Sequence, residues 1–349
     1  MWTLTARARR AKDLTEETDP ALLQDFPGTD DELAGELQWL SAENRARPSG
    51  ERERMILHLR NLLGIRRLEG AAPDAAYPEP DFDALPAAGG LPEITPGELT
   101  PGVLRAGILR DGCLLVRGLV GRGAAQELAG QIDRAFTERE RHDADRSFND
   151  RLYVPFEHDP RRGVRLLREW IKAGGGVLAV DSPRLSFQMG ETFTAAGLPQ
   201  LVAGYLGEPP VISGDKTTLR KAEPAVSGGW HQDGTFMGEV RALNLWLALS
   251  RCGDEAPGLD LVPRRLDGHV ATETDEAMMT NQVSQRIAEE VAGEAGILRP
   301  IFEPGDALFF DELFLHKTAS DPRMRRPRYA IENWFFGASA FPADYVPLS

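Results

Sequence analysis

The sequence predicts a mainly β core with flanking helices, a double-stranded β-helix of jelly-roll type, and three observations lead there. Apolar runs of strand length recur between turn signals: Ala242–Leu249, Ala307–Phe310 behind Pro304-Gly305-Asp306, and Tyr329–Phe336 opened by Arg328. Cys113–Val120 and Val211–Glu223 read as further strands, and together they alternate enough to fit a jelly roll. The third observation is placement. His231-Gln232-Asp233 precedes one of these strands, and His316 follows another.

Residues 29–64 read as two helices. Thr29 or Asp30 can cap the first, in which Leu33, Leu37 and Leu40 repeat at helical spacing with Trp39 beside them. Pro48-Ser49-Gly50 breaks the chain. A second helix, Glu51 to Leu63, carries Met55, Ile56, Leu59, Leu62 and Leu63 and ends at Gly64 as a C′ residue. Residues 1–70 thus form an N-terminal helical extension whose apolar stripe needs a cover. Packing on the rest of the chain is one cover, and a subunit contact in a homodimer is the other. Residues 71–99 are a Pro/Ala/Gly-rich linker, and 100–349 the strand-rich domain.

Thr100 caps a helix beginning at Pro101. Asp111-Gly112 turns into the strand from Cys113, and a helix follows over 122–141 with Leu128, Ile132 and Phe136 inward. The polar segment 143–162, carrying Phe148, Tyr153 and Phe156, reads as a loop near the mouth of the site. His142 and His158 read there as solvated, and His58 as a surface or helix-packing residue. Residues 198–206 form a short helix, and a Glu/Ala-rich helical insertion stands around 270–295, over Thr272–Glu294.

The composition excludes several classes of function. No run of 18 apolar residues exists, so no membrane span is expected. The basic N-terminus lacks the apolar stretch of a signal peptide. Two distant cysteines give neither a disulfide framework nor a zinc site and fit a reducing, cytoplasmic compartment; Cys113 reads as a small core residue. A formal charge of −14 argues against a nucleic-acid partner.

Chemistry concentrates in the histidines. His-x-Asp followed by one distant His is the ligand pattern of a 2-His-1-carboxylate triad, which holds Fe(II) on one face of its octahedron and leaves the opposite face open. On a strand, His231 and Asp233 would project to the same side, and His316 would arrive from a neighbouring strand. With six histidines, a chance His-x-Asp is expected about 0.4 times in such a chain, so the tripeptide alone decides nothing. The surroundings add weight: Gly228-Gly229-Trp230 before it, Gly234-Thr235 after it, and a buried strand behind each ligand position.

The ordered set of landmarks resembles the phytanoyl-CoA dioxygenase family of Fe(II)/2-oxoglutarate-dependent oxygenases. The matching residues are Trp230-His231-Gln232-Asp233, the strand around Trp246, Gly258-Leu259-Asp260-Leu261-Val262-Pro263, Pro304-Gly305-Asp306 before His316, and Arg328-x-Ala330-Ile331. The resemblance spans about residues 100–337. One departure is plain: Arg264-Arg265-Leu266-Asp267-Gly268-His269 stands where the family has Gly-Ser-His, in a loop that often meets substrate.

The resemblance implies a cupin-like jelly roll, an iron held by His231, Asp233 and His316, and 2-oxoglutarate and O₂ as cosubstrates. Arg328 matches the residue that takes the far carboxylate of 2-oxoglutarate, with Arg325 and Arg326 as rivals one short loop away. Thr318 shares a face with His316 and could donate to that carboxylate. Trp246 and Asn244 share a face of the adjacent strand and would wall the pocket; core packing for Trp246 and an edge position for Asn244 stand beside that reading. The implied reaction is hydroxylation, or another oxidation, of an unactivated C–H bond in a small molecule of natural-product or secondary metabolism. Halogenating relatives carry a small residue where this chain has Asp233. Arg184, Lys216, Arg220, Arg264, Arg265, Phe148, Tyr153 and Phe236 are candidates for contacts to an anionic or polar substrate. Two alternatives stay open: a cupin-type metal dioxygenase that uses no 2-oxoglutarate, and a catalytically silent binding protein on the same fold.

Overall fold

Helix α1 (Asp30–Ala46) begins in a capping box: the Thr29 hydroxyl accepts from the Glu32 N–H, and the Glu32 carboxylate accepts from the Thr29 N–H at 2.8 Å. The computed structural model describes residues 26–71, 75–87, 89–148, 151–158, 163–224, 228–238, 240–272 and 282–349. Helix α2 (Gly50–Glu69) is capped by Ser49. Leu33, Leu37 and Leu40 of α1 meet Met55, Ile56, Leu59 and Leu63 of α2 and Phe187 of the domain behind them, so the chain itself covers the stripe. Buried Glu53 fastens the pair, accepting from Arg151 at 2.7 Å, Arg184 at 2.6 Å and Asn44 at 3.3 Å. A carboxylate at 0% exposure is tolerable because both charge and lone pairs are answered.

The second helix does not stop at Gly64. It runs to Glu69 and ends on Gly70, because Gly64 has another task. A Cβ there would lie 2.7 Å from the carbonyl carbon and oxygen of Pro347, so the glycine lets α2 lie against the last strand, Pro347–Leu348. Gly64→Ala is expected to lower stability by about 1–3 kcal/mol despite alanine's better helix propensity, since backbone must yield. A urea midpoint equal to or above the parent's would refute the close approach.

The strands, in chain order, are β1 (Glu93–Ile94), β2 (Cys113–Val116), β3 (Gly176–Leu178), β4 (Pro210–Ser213), β5 (Thr218–Ala222), β6 (Ala242–Ala248), β7 (Gly258–Leu261), β8 (Ala307–Phe310), β9 (His316–Ala319), β10 (Arg328–Gly337) and β11 (Pro347–Leu348). The large mixed sheet runs β1-β2-β8-β6-β10-β4-β11, with β5 joining β10 further along and β3 beyond β5. β7 and β9 form the second sheet, extended by the bridges His231↔His316 and Leu261↔Leu298. The expected strand over 211–223 is thus two strands with a turn between. The one from Cys113 ends at Val116, since Gly118 turns the chain at φ 67°.

Side-chain alternation sorts the large sheet into two faces. Leu243, Leu245, Leu247, Phe309, Ile331 and Phe335 point outward to a layer of helices. Those are α3 (Pro101–Asp111, capped by Thr100), α4 (Arg122–Ala144), α6 (Pro183–Ala195) and α7 (Leu198–Leu206), α5 (Arg168–Ala173) lying beside β3. Trp246, Leu308, Phe310, Ala330 and Trp334 point inward and meet Leu259, Leu261, Phe302 and Phe314 of the second layer. Among the described residues helices hold more of the chain than strands, which corrects the mainly β expectation. The sheet must be covered on its outer face, and helices do it.

Two further expectations change. Leu152 and Tyr153 sit in the outer, helix-side cluster, across the large sheet from the triad and not at its mouth, and Phe156 stacks on His58 at 4.9 Å. His142 is buried, its Nδ1 2.7 Å from the Phe148 carbonyl and its ring edge-on to Tyr153, so it is packed and not solvated. Of the insertion, α8 (Gln285–Ala292, capped by Ser284) is present, while residues 273–281 lie outside the described residues, as do residues 1–25 with the basic N-terminus. No helix is long and apolar enough to cross a membrane among the described residues.

Candidate metal centre

His231 and His316 are bound to each other through the backbone. The His231 N–H donates to the His316 carbonyl at 3.0 Å, and the His316 N–H returns the bond at 3.2 Å. This antiparallel bridge sets the two imidazoles side by side, ring centroids 4.5 Å apart. The chain then leaves the extended path: Asp233 opens a 3-10 turn, Asp233–Phe236, in place of the strand expected across His231 and Asp233. The turn still brings the carboxylate back to the histidines. Asp233 Oδ1 is 3.7 Å from His231 Nε2 and Oδ2 is 3.9 Å from His316 Nε2.

Local chemistry fixes which nitrogen faces inward. His231 Nδ1 lies 2.8 Å from the Gly229 carbonyl and His316 Nδ1 3.1 Å from the Phe314 carbonyl. A carbonyl can only accept, so each Nδ1 carries a proton, and in the neutral ring it is Nε2 that presents the lone pair. Burial, and then the neighbouring His231, lower the His316 pKa to about 4, so no proton competes for that lone pair near neutrality. The three ligand atoms lie within 4.8 Å of one another, too wide for hydrogen bonds and suited to sharing one small cation. The donor set of two neutral imidazoles and a carboxylate therefore fits a divalent metal with an open face.

The residues that hold the loop were not singled out from sequence. Gln232, 0% exposed, points away from the triad; its amide donates to the carbonyls of Leu313 at 2.6 Å and Gly268 at 3.1 Å and accepts from the Val270 N–H at 2.7 Å. Gly234 donates to the Glu312 carbonyl at 2.9 Å, and a Cβ on it would come within 2.5 Å of His269 Nε2. The atypical 264–269 loop is thereby pressed against the His231–Asp233 loop. The signal in sequence was slight: a buried glutamine between two ligands looks like any polar spacer.

The Glu312 carboxyl beside this turn is pushed up to about 7, first by burial and then by Asp311. The folded chain keeps a proton that the unfolded chain loses above its ordinary value of 4.5. Stability from this group is therefore greatest in acid and falls as pH rises toward about 7. Glu312→Gln is expected to leave melting at pH 5 nearly unchanged and to stabilise by about 1–3 kcal/mol at pH 8. Equal shifts at both pH values would count against a protonated buried carboxyl.

Arg328 opens β10 on the inner face and is 1% exposed. Its Nη1 makes one long contact, 3.4 Å to the Gly258 carbonyl, its Nε has no acceptor, and its Cζ lies 5.3 Å from the Trp246 ring centre. Arg325 and Arg326 are exposed, the first turned onto backbone carbonyls and the second 3.4 Å from Glu255. The strand register puts Trp246 and Asn244 on the face of Arg328, with Trp246 Nε1 and Asn244 Oδ1 both buried and unpartnered. Thr318 shares the face of His316, opposite Leu259 as His316 is opposite Leu261.

The residues expected to touch substrate scatter. Lys216 lies over the rings of Phe236 at 5.0 Å and Tyr345 at 4.8 Å, just beyond the Asp233 turn, and Arg220 sits on the inner face paired to Glu332 at 2.9 Å. Arg184 is spent on Glu53, Arg265 on Asp311, and Arg264 on the Val291 carbonyl. Tyr153 lies on the other side of the sheet, and the Phe148 carbonyl meets buried His142.

No family model matches the sequence, and no curated protein matches it. Solved structures do. The chain is similar to EctD from S. alaskensis, in a crystal structure with 2-oxoglutarate and 5-hydroxyectoine, at 17% identity over 67% of this chain and 75% of that one, TM-score 0.44. It is similar to AviO1 from Streptomyces viridochromogenes Tue57 at 18% over 70% and 98%, TM-score 0.41. A third is SnoK, a non-heme alpha-ketoglutarate-dependent carbocyclase from nogalamycin biosynthesis, at 12% over 70% and 87%, TM-score 0.45. Likenesses of this degree leave the assignment of function to the site's own residues.

Proposed function

We propose that this chain is an Fe(II)/2-oxoglutarate-dependent oxygenase acting on an unactivated C–H bond of a small molecule, built on a jelly-roll core. The core reading rests on connectivity: β5, β6, β8 and β10 lie in the large sheet, while the 230–231 segment, β7 and β9 that fall between them in sequence lie in the second. The observation that carries the chemistry is Arg328. A fully buried guanidinium with an orphaned donor, on the wall facing a metal-ligand triad, is costly unless a bound anion completes it.

His231, Asp233 and His316 would hold the metal, their Nε2 and carboxylate oxygens already converged. When bound, Fe(II) with 2-oxoglutarate and O₂ supplies the oxidant that cleaves a C–H bond, with succinate and CO₂ as by-products. Arg328 would take the distal carboxylate in a charge-assisted pair, and the Thr318 hydroxyl could add a bond to it. Phe310 and Phe314 exclude water around His316, with rings 4.8 and 5.9 Å from its own, and Trp246 lies beside Arg328, whose Cζ is 5.3 Å from its ring centre. Asp233 occupies the ligand position that a halide would need, which favours oxygenation over halogenation. The substrate we propose is an anionic or polar small metabolite, approached past Lys216 and Phe236; we propose no nucleic-acid or membrane partner. A cupin-type enzyme independent of 2-oxoglutarate would have no use for Arg328 in this state.

Anaerobic titration of Fe(II) and then 2-oxoglutarate into the protein tests the reading. A weak visible metal-to-ligand charge-transfer band is expected, and its absence from folded protein would overturn the assignment.

A further inference from the structure

Resting on that reading, we infer that Arg220 and Glu332 form a charge-balancing pair that seats the cosubstrate, with Arg220 as a positioning residue. The inner face of β10 carries Arg328, Ala330, Glu332 and Trp334 in succession. Across the β6 side these stand beside Ala248, Trp246 and Asn244, and across the β5 side beside Ala222, Arg220 and Thr218. Ala330 and Ala248 face each other, so the floor between Arg328 and the level of the triad is left low. Trp246 and Glu332, directly paired in register, and Arg220, opposite Ala330, bound that floor.

Glu332 therefore stands beside the route from the triad to Arg328, and its charge is felt by both His316 and Arg328. A carboxylate in that position repels any dianion laid along the route. Arg220 answers it: its Nε donates to Glu332 Oε2 at 2.9 Å, and its Nη1 is anchored on the Gly174 carbonyl at 3.0 Å. Gly174 permits that anchor, for a Cβ there would sit 2.9 Å from the Arg220 nitrogen.

The charge tally explains why the pair is kept whole. Arg328 and Arg220 less Glu332 leave one positive charge on the floor. A divalent metal less Asp233 leaves one more. Their total matches a dianionic 2-oxo acid. Loss of Arg220 alone halves that total, whereas loss of both Arg220 and Glu332 restores it. At separations of this order, in a partly buried site, one uncompensated charge changes affinity by about tenfold or more.

The test is the dissociation constant of 2-oxoglutarate, measured anaerobically on the Fe(II)-loaded protein by the charge-transfer band, with Mn(II) affinity recorded separately. Arg220→Gln is expected to raise the constant at least about tenfold, Glu332→Gln to leave it equal or lower, and the double variant to return within about threefold of the parent. Mn(II) affinity should stay level or rise in Arg220→Gln, opposite in sign to the loss of 2-oxoglutarate, a pattern that a merely structural pair would not give. Should Arg220→Gln misfold, Arg220→Met, of similar length and without charge, takes its place with the same expectation. Weakening in all three variants, or parental affinity in all three, overturns the pair's role while leaving the oxygenase reading intact. A parent protein that loads metal and binds no 2-oxoglutarate overturns both.

Discussion

Alanine at His231, Asp233 or His316 is expected to abolish Fe(II)-dependent oxidation and to weaken metal binding by orders of magnitude. Each of the three supplies one converging ligand atom, and no other His, Cys, Asp or Glu among the described residues joins the group. His316→Ala should be the most severe, because it also removes the ring packed by Phe310 and Phe314. Asp233→Gly discriminates best: its expected result is weak but measurable iron binding with a position opened to chloride. Calorimetric titration of Fe(II) under argon reads the first effect and product analysis in chloride the second. Normal turnover by Asp233→Ala would remove the carboxylate from the ligand set.

Arg328→Ala carries the second large effect. Truncating one partner of a desolvated, hydrogen-bonded charge pair costs about 2–5 kcal/mol, on the order of 30- to 4,000-fold in affinity. The apparent requirement for 2-oxoglutarate should rise by that factor. Arg325→Ala and Arg326→Ala, both exposed, should change it by less than about twofold, as surface ion pairs contribute little. Arg328→Lys should recover only part of the loss, since an ammonium cannot reproduce the two-pronged contact. Comparable penalties at all three arginines would mean that the anion is held elsewhere.

Local chemistry was legible in the sequence where one residue type answers one backbone demand. Thr29 and Thr100 cap the helices expected of them, and the short helix expected over 198–206 is present. The neighbourhood of His231, Asp233 and His316 was legible because turn and strand signals flank each one. What stayed hidden depended on contacts between distant segments. Gly64 looks like a helix stop until Pro347 is seen against it, and Tyr153 looks like an aromatic at the mouth of the site until the sheet is placed beneath it. Strand alternation put Arg328 and Glu332 on one face, but only the register with β5 shows that Arg220 meets Glu332 there. Gln232 escaped notice because its three partners, Leu313, Gly268 and Val270, come from two other loops.

The reciprocal backbone bonds between His231 and His316 have a consequence for how the proposed iron would be acquired. In small zinc domains the ion gathers its ligands, and folding free energy is the metal's own binding free energy. Here two of three ligands are clasped by main chain, so the apoprotein should fold without a metal and capture one afterwards. A site assembled in advance has little means of refusing a wrong ion. Along the Irving–Williams series, Co²⁺, Ni²⁺, Cu²⁺ and Zn²⁺ all bind nitrogen and oxygen donors more tightly than Fe²⁺ does. On the proposed reading, which metal the protein carries would follow from what the cell supplies when the chain is made, and protein produced in zinc- or nickel-rich medium should emerge folded, loaded and inert toward oxidation.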